Sequence, residues 1–599
     1  MSVSEQANKH VRCISVTVIA LAGAVGLSAP AGAASIAVTT TVDELNSSPP
    51  CSLREAIRSA NTDSSFGGCA AGSGPDRITL PAGTYQLAIP NSFDPDENVA
   101  LTGDLDVLST ITLVGSGQAA TIIDGNGAVL LDRVFDVSAA ATAAFENLTI
   151  RNGNTPTSAA GGGAISNDGR ATFTNSTLVG NAAGAGGGAL SNGAGAISEF
   201  FASVVSGNAA GGSGGGIRNG SGASSTFTNT TVSGNTAQVG GGGVSNDGVA
   251  TFTNTTVSGN VAGGRGGGIF NGTPVATATF TNATISGNTA HGEGGGISNG
   301  SGATLTMVNS TISENRTSDS GGGIHGGTGS LSNSTVTLKT SDSDANGVGD
   351  GGGVALTTLN LKNSILAGNS SPSPAAVAPD CQAVLASQGY NLIGNATSCS
   401  ITAGPGDMIG SAVAPLDPGL APLRNYGGPT STHALLASSP ARNNGSPTTP
   451  GSGGDSCAGV DQRGVPRPQS SRCDMGAYEY ASCLKAVVNR VGTNGNDSLG
   501  GTSGPDVFLG LAGKDRINAR AGNDRACGGK GRDPLIGGSG ADRLAGDEGA
   551  DRLFGGPGSD RLMGGRANDL LVGGPGFDRC LGGPGRDRAI SCEKRIGIP

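Results

Sequence analysis

The chain has 599 residues, of which 108 are glycine, 13% are charged, 3% are aromatic and none is tryptophan. The absence of a strict Gly-X-Y period excludes collagen. The apolar share of 36% with so few charges excludes a highly charged disordered chain, and a net charge of −10 supplies no basic field for nucleic acid. Glycine in such excess recurs for a geometric reason, so turns and repeats are expected.

Lys9, His10 and Arg12 precede an apolar stretch from Val16 to Ala29 that ends at Ala31-Gly32-Ala33. This pattern predicts a secretory signal peptide over 1–33, cut before Ala34, with no integral membrane span after cleavage. Cys13 lies inside it, which leaves ten cysteines in an exported chain. Disulfides are therefore expected, with the close pairs Cys51–Cys69, Cys381–Cys399, Cys457–Cys473 and Cys580–Cys592, and Cys483–Cys527 by elimination.

Residues 51–62, Cys-Ser-Leu-Arg-Glu-Ala-Ile-Arg-Ser-Ala-Asn-Thr, are the one plainly helical stretch, with Leu53, Ala56, Ile57 and Ala60 on one face. A short amphipathic helix suits the open end of a solenoid, whose edge must be covered. Strands are expected at Asp76–Leu80, Leu105–Val114 and Ala120–Asp124.

From Phe145 to Asn369 two patterns alternate. Gly-Gly-small-aliphatic begins at Gly162, Gly187, Gly214, Gly241, Gly266, Gly294, Gly321 and Gly351, at spacings of 25 to 30 residues. Phe-x-Asn stands at Phe173, Phe227, Phe252 and Phe280, with an aliphatic residue five positions on. Short β-branched strands and glycine turns at this period predict a coil of parallel strands. Two phases of asparagine, one from Asn167 to Asn299 and one from Asn175 to Asn363, read as inward ladders rather than as N-glycosylation sites. The repeats resemble those of chlamydial polymorphic outer-membrane proteins, a likeness that implies a right-handed parallel β-helix.

Downstream stand Asp417-Pro418-Gly419-Leu420, Asn425-Tyr426-Gly427-Gly428-Pro429-Thr430, Thr432-His433-Ala434-Leu435-Leu436, Asp461-Gln462-Arg463-Gly464 and Cys473-Asp474-Met475-Gly476-Ala477-Tyr478-Glu479. This stretch is similar to the closing region of the choice-of-anchor Q family, and residues 51–62 match the CSLREA motif that opens a family of bacterial surface β-helix proteins. Together the resemblance covers about residues 35–480 and implies a capped β-helix at the cell surface. A linker over 481–491 follows.

From Gly492 to Ile590 the period becomes nine. Aspartates stand at Asp497, Asp506, Asp515, Asp524, Asp533, Asp542, Asp551, Asp560, Asp569, Asp578 and Asp587, and ten of the eleven have glycine two positions before. The unit resembles the RTX nonapeptide GGxGxDxUx, which implies a calcium-binding parallel β-roll. The chemistry agrees: glycine turns open backbone carbonyls, each Asp offers a hard carboxylate oxygen, and Ca2+ takes six to eight oxygens. One loop holds too few, so an ion must sit between loops two repeats apart. The expected ligands are the eleven aspartates with the first glycines Gly528, Gly537, Gly546, Gly555, Gly573 and Gly582. Asp533, followed by Pro534, and Asp569, preceded by Ala567, depart most from the unit. Residues 591–599 read as a tail.

Arg525, Arg543, Arg561 and Arg579 follow alternate aspartates and would form one ladder. Solvated arginines balancing nearby carboxylates, or a face for an acidic polymer, both suit them. A catalytic groove has one candidate cluster, Arg265 with Glu293, near His291 and Asp319, and a cross-turn salt bridge explains that pair equally well. The sequence therefore predicts an all-β chain: a right-handed parallel β-helix with an N-terminal capping helix over 34–480, then a parallel β-roll over 492–590. The expected function is a secreted or cell-surface calcium-binding protein for adhesion, non-catalytic, meeting an acidic surface polysaccharide or another envelope component and no nucleic acid. A secreted lyase or hydrolase of acidic polysaccharide, and a surface-layer component, are the alternatives.

Overall fold

The computed structural model describes residues 33–46, 49–90, 100–156, 161–341, 343, 350–371 and 379–598. The signal-peptide expectation and Cys13 fall outside them. The chain is all-β, with parallel sheets of 21, 13 and 7 strands in one body and of 7 and 6 strands in a second. The first body is a parallel β-helix. One coil shows its plan: Ile217–Asn219 and Ser224–Thr228 lie on the largest sheet, Thr231–Ser233 on the second and Thr236–Ala237 on the third.

The register follows the repeat residue for residue, so like side chains stack. Phe145, Phe173, Phe200, Phe227, Phe252 and Phe280 form one buried column with ring centroids 4.5–5.1 Å apart and planes within 3–11°. The aliphatic of the next strand faces them across the coil. The first glycine of each Gly-Gly pattern has a positive φ, and at Gly241 an added Cβ would lie 2.4 Å from the Val244 carbonyl oxygen. No L side chain fits that corner.

The asparagines need a correction. Asn167, Asn192, Asn219, Asn246, Asn271 and Asn299 form the inward ladder, each amide donating to the next, as from Asn219 Nδ2 to Asn246 Oδ1 at 2.7 Å. The phase from Asn175 to Asn363 instead takes the left-handed corner, with φ of 47–54°, because Asn tolerates that conformation better than other residues with a Cβ. Its early members face solvent, whereas Asn333 and Asn363 are buried beneath the closing region. A further inward ladder runs through Asn181, Asn208, Asn235, Asn260, Asn288 and Asn315.

The helix at Leu53–Thr62 carries a capping box in which Ser52 and Glu55 satisfy each other's backbone, and it buries Leu53, Ala56, Ile57 and Ala60. Arg54 is buried too, donating to Asp43 at 2.8 Å and to the carbonyls of Gly103 and Asp104. The region after 417 does not sit on the far end alone. It folds back along the flank of the late coils, where Gln462 meets Thr311 and Asn309 meets the Val460 carbonyl. Its motif residues interlock: Arg463 pairs with Asp461 at 2.8 Å and lies over the Tyr478 ring, and Arg467 pairs with Glu479 at 3.0 Å.

His433 bridges Ser313 Oγ at 2.8 Å and the Ala421 carbonyl at 2.7 Å. Burial, with the ammonium of Lys339 adding to it, lowers its imidazole to about 4. The unfolded chain, near 6.5, then binds more protons between those two values, so stability falls as pH drops through that window. The loss amounts to about 3 kcal/mol. Hydrogen exchange at 430–435, corrected for its intrinsic rate, should accelerate from pH 6.5 to 4, and this acceleration should flatten in His433→Gln.

All five expected disulfides are present. The stretch expected as a linker forms a hairpin, Ser482–Cys483 with Ala486–Val487, and Arg490–Val491 then joins the roll. The stretch expected as a tail adds a strand at Lys594–Ile596. Among the described residues no helix is long and apolar enough to cross a membrane.

Candidate metal centres of the roll

Each nonapeptide of the second body makes half a turn and adds one short strand, alternately to the two sheets, so residues 18 apart stack in register. The residue two positions after each Asp points inward, and Phe508, Ile517, Leu535, Leu544, Leu553, Leu562 and Leu571, with the smaller Ala526 and Cys580, make a thin, fully buried core. That core is narrow, and the loops on either side hold the polar chemistry.

The aspartates stand in two stacks along these loops. In every stack Oδ1 accepts the backbone N–H of the aspartate one turn earlier, as from Asp533 N to Asp551 Oδ1 at 2.8 Å. Oδ2 points the other way. In Asp515, Asp524, Asp533, Asp542, Asp551, Asp560, Asp569, Asp578 and Asp587 it is buried and has no hydrogen-bond partner. Nine orphaned carboxylate oxygens in one protein are not tolerable as they stand, because a buried unpaired charge is costly.

Eight of the nine orphan oxygens face a cradle formed by a glycine five positions earlier, and at Asp524 the buried Ala519 stands there instead. A Cβ on Gly537, Gly546, Gly555 or Gly582 would lie 2.3–2.4 Å from Oδ2 of Asp542, Asp551, Asp560 or Asp587. The same spot lies 2.5–2.8 Å from the carbonyl oxygens of Gly555, Gly564, Gly573 and Gly597 respectively, one turn on. Gly528 and Gly573 have the same relation to Asp533 and Asp578. Carboxylate and carbonyl oxygens thus converge between successive turns, a hard all-oxygen set that suits Ca2+. Among the described residues no three His, Cys, Asp or Glu side chains converge on one point. The set draws one carboxylate per loop and the remainder from the backbone.

Burial raises the carboxyls, and the neighbouring aspartates push the same way: Asp515, Asp524, Asp560 and Asp569 rise to about 6 and Asp551 to about 7. Bound calcium would hold these groups ionised, through the charge the loops otherwise lack.

Asp533 and Asp569 share the common geometry despite Pro534 and Ala567. Asp497 and Asp506 do not. Thr493 and Thr502 replace the second glycine, and each donates through both backbone and hydroxyl to the adjacent Oδ2, at 2.6–2.9 Å. Arg490 adds a bond to Asp506 Oδ1 at 3.0 Å. These first two loops are closed by protein donors. The sequence reading also missed Gly564, which cradles Asp569, and Glu593, which accepts from Asp578 N at 2.6 Å where a twelfth aspartate would stand. Calorimetric titration should therefore give at most nine calcium ions per chain. Asp497→Asn and Asp506→Asn should leave that count unchanged, while Asp551→Asn should lower it.

The candidate catalytic cluster lies on the β-helix. Arg265 Nε meets Glu293 Oε2 at 2.9 Å, and His325 Nδ1, which the sequence reading left out, meets the same oxygen at 3.3 Å. Burial lowers the His325 imidazole, against the opposing pull of Glu293 and Asp319. His291 is exposed on the rim. The groove here is also lined by Phe270, Ser298 and Asn299, and among the described residues Glu293 is its one carboxylate. A glycosidase pair needs two carboxyls across the scissile bond.

Residues 491–526, 528–562 and 554–589 match the family described as RTX calcium-binding nonapeptide repeat (4 copies). No curated protein matches the chain. Among solved structures, the PL6 family alginate lyase AlyGC is similar at 9% identity and a TM-score of 0.31, over 86% of this chain and 76% of that one. An arginine-to-alanine mutant of the same lyase gives 11% and 0.29, over 87% and 78%. The C-terminal body is thus built of RTX calcium-binding nonapeptide repeats, and its metal is Ca2+.

Proposed function

We propose that this is a secreted, non-catalytic protein of the cell surface, serving adhesion or envelope contact, whose C-terminal repeats fold on calcium. The observation that carries this reading is the set of nine buried, partnerless Asp Oδ2 atoms between Asp515 and Asp587, which divalent cations would satisfy. Such a switch suits the outside of a cell, where calcium modules work at 10⁻⁴–10⁻³ M in order of magnitude. Five disulfides fit the same oxidising setting. The CSLREA motif at 51–62 and the choice-of-anchor Q likeness at 417–479 support a surface protein, with the β-helix as a rigid spacer. Its partner is an acidic surface polysaccharide or another envelope component.

Added protease on intact cells tests this. The protein should be digested from outside, and a chelator wash should expose residues 492–590 first. Protein confined to the cell interior would refute the reading.

The second reading is a lyase or hydrolase of acidic polysaccharide. One observation favours it: in the groove a carboxylate orients an imidazole that burial keeps poised as a base. Unsaturated-uronate absorbance for a lyase, or new reducing ends without it for a hydrolase, on incubation with polyuronates and lost in His325→Gln would establish it, and neither product would refute it.

A further inference from the structure

We propose that the open half of the roll's seven-stranded sheet binds a single linear polyanion, an acidic polysaccharide chain, laid along the roll axis. The inference rests on the calcium-folded roll proposed above and names the surface that roll presents.

The register places Arg525, Arg543, Arg561, Arg579 and Lys594 side by side on consecutive strands. Neighbouring strands lie ~4.8 Å apart, so the cations form a straight file at that spacing. The six-stranded sheet carries no such file, because Pro534 and Leu570 interrupt its arginines. Like charges directly opposite on adjacent strands destabilise a sheet. Yet Arg543, Arg561, Arg579 and Lys594 are exposed, and among the described residues none forms an ion pair or side-chain hydrogen bond. Arg525 shows the contrast. It is half-buried and donates to the Leu484 carbonyl at 2.6 Å, where the hairpin and the Cys483–Cys527 disulfide cover the sheet.

Two positions beyond the file runs an apolar row on the same face. Its first members, Cys527 and Ala545, are buried against Ala481, Cys483 and Val488. The row then continues through Met563, packed at the edge of that cluster, to the half-buried Leu581 and the exposed Ile596, which line a shallow groove of about 710 Å³. Ile596 is 44% exposed. The open face is therefore a cation file beside an apolar strip, continuous with an interface the protein already uses.

The occupant follows from this pattern. A polyuronate carries one carboxylate per sugar along one edge and an apolar C–H face on each ring, which match the file and the strip. Asp547 and Glu548 bound the groove's far side and would repel a broad anionic surface such as a bilayer. Among the described residues no aromatic lines the groove to stack a base, which disfavours nucleic acid. Calcium sets the sign of the field. Residues 492–590 hold 13 acidic and 13 basic residues, so the roll is neutral alone and strongly positive when its loops are filled.

The test uses the full chain in millimolar calcium and immobilised polygalacturonate. Arg543→Gln/Arg561→Gln/Arg579→Gln should weaken binding at least tenfold and reduce the slope of log K against log salt by roughly two, in the manner of counterion release. The corresponding Lys variant should bind like the parent, and Leu581→Ser should weaken binding without changing the slope. Circular dichroism with and without calcium accompanies each variant. Unchanged binding in a Gln variant that still folds on calcium overturns the binding face alone. A parent chain that shows no calcium-dependent change fails the underlying reading instead. Equal binding to phosphatidylserine vesicles overturns the assigned ligand. Should the triple variant not fold, Arg561→Gln alone is expected to lose part of the affinity and the slope, and no loss would overturn the proposal.

Discussion

Chelating calcium at pH 7.5 is expected to unfold residues 492–590 and leave the coils of 145–369 intact. Far-UV circular dichroism should lose the roll's share of β signal, and trypsin should then cut after arginines such as Arg552 and Arg561. The asymmetry comes from how each body satisfies its buried polar groups. In the β-helix the inward asparagines donate and accept among themselves, so no ligand is required. In the roll nine carboxylate oxygens are left over, on side chains no more than 6% exposed. The core between them is one aliphatic per repeat and too thin to offset that desolvation. Protons compete with calcium for the same oxygens, and the sign follows. Without calcium, carboxyls raised to about 6–7 bind more protons in the folded roll than in the unfolded chain. Stability of the apo roll should therefore rise as pH falls from about 7 toward the unfolded value near 4, and be least above 7. Calcium affinity should run the other way, increasing with pH. An apo roll equally folded at pH 5 and 8, or folded in chelator at pH 7.5, would contradict the assignment of these oxygens to metal.

The roll was legible because one phase runs unbroken through eleven repeats, and phase alone aligns Asp with Asp and Leu with Leu. What escaped lies where phase breaks. Glu593 stands 15 residues after Asp578 rather than 18, so counting by nines misses it, although the last strand still pairs with the sheet. Thr493 and Thr502 keep the aspartate in phase but close its oxygen, a difference of one hydroxyl that spacing does not reveal. His325 joins Glu293 only because coils of 28 and 27 residues bring Phe270, Ser298 and His325 into one outward column. The closing motifs of 417–479 were visible as motifs, but their order carries no direction. Contacts such as Asn309 to Val460, 151 residues apart, decide that the region runs back along the flank.

The asparagines are where spacing says least about the work a residue does. Asn229 and Asn235 lie six residues apart, recur with the same period and both precede a Thr-rich strand, yet they do different work. Asn229 holds a left-handed corner with φ of 51°. What that corner needs is backbone tolerance, so Asn229→Gly should be near neutral and Asn229→Ala should cost about 1 kcal/mol. Asn235 is fully buried and makes four bonds. It donates to Asn260 Oδ1 at 2.9 Å and the Val205 carbonyl at 3.0 Å, and accepts from the Asn208 backbone and amide at 3.0 and 2.9 Å. Leucine is close in size but satisfies none of these groups. Asn208 N–H would be orphaned outright with one amide hydrogen of Asn208, and the Val205 carbonyl would keep only its strand partner. At ~1–3 kcal/mol for each buried orphan, Asn235→Leu should cost roughly 3–5 kcal/mol. In a solenoid each coil contacts only its neighbours, so the loss should appear first as faster hydrogen exchange in the adjoining coils, 204–262, with 145–180 unaffected. Equal effects of Asn229→Ala and Asn235→Leu would mean that both columns act through the backbone, and that the inward amides do not hold the stack.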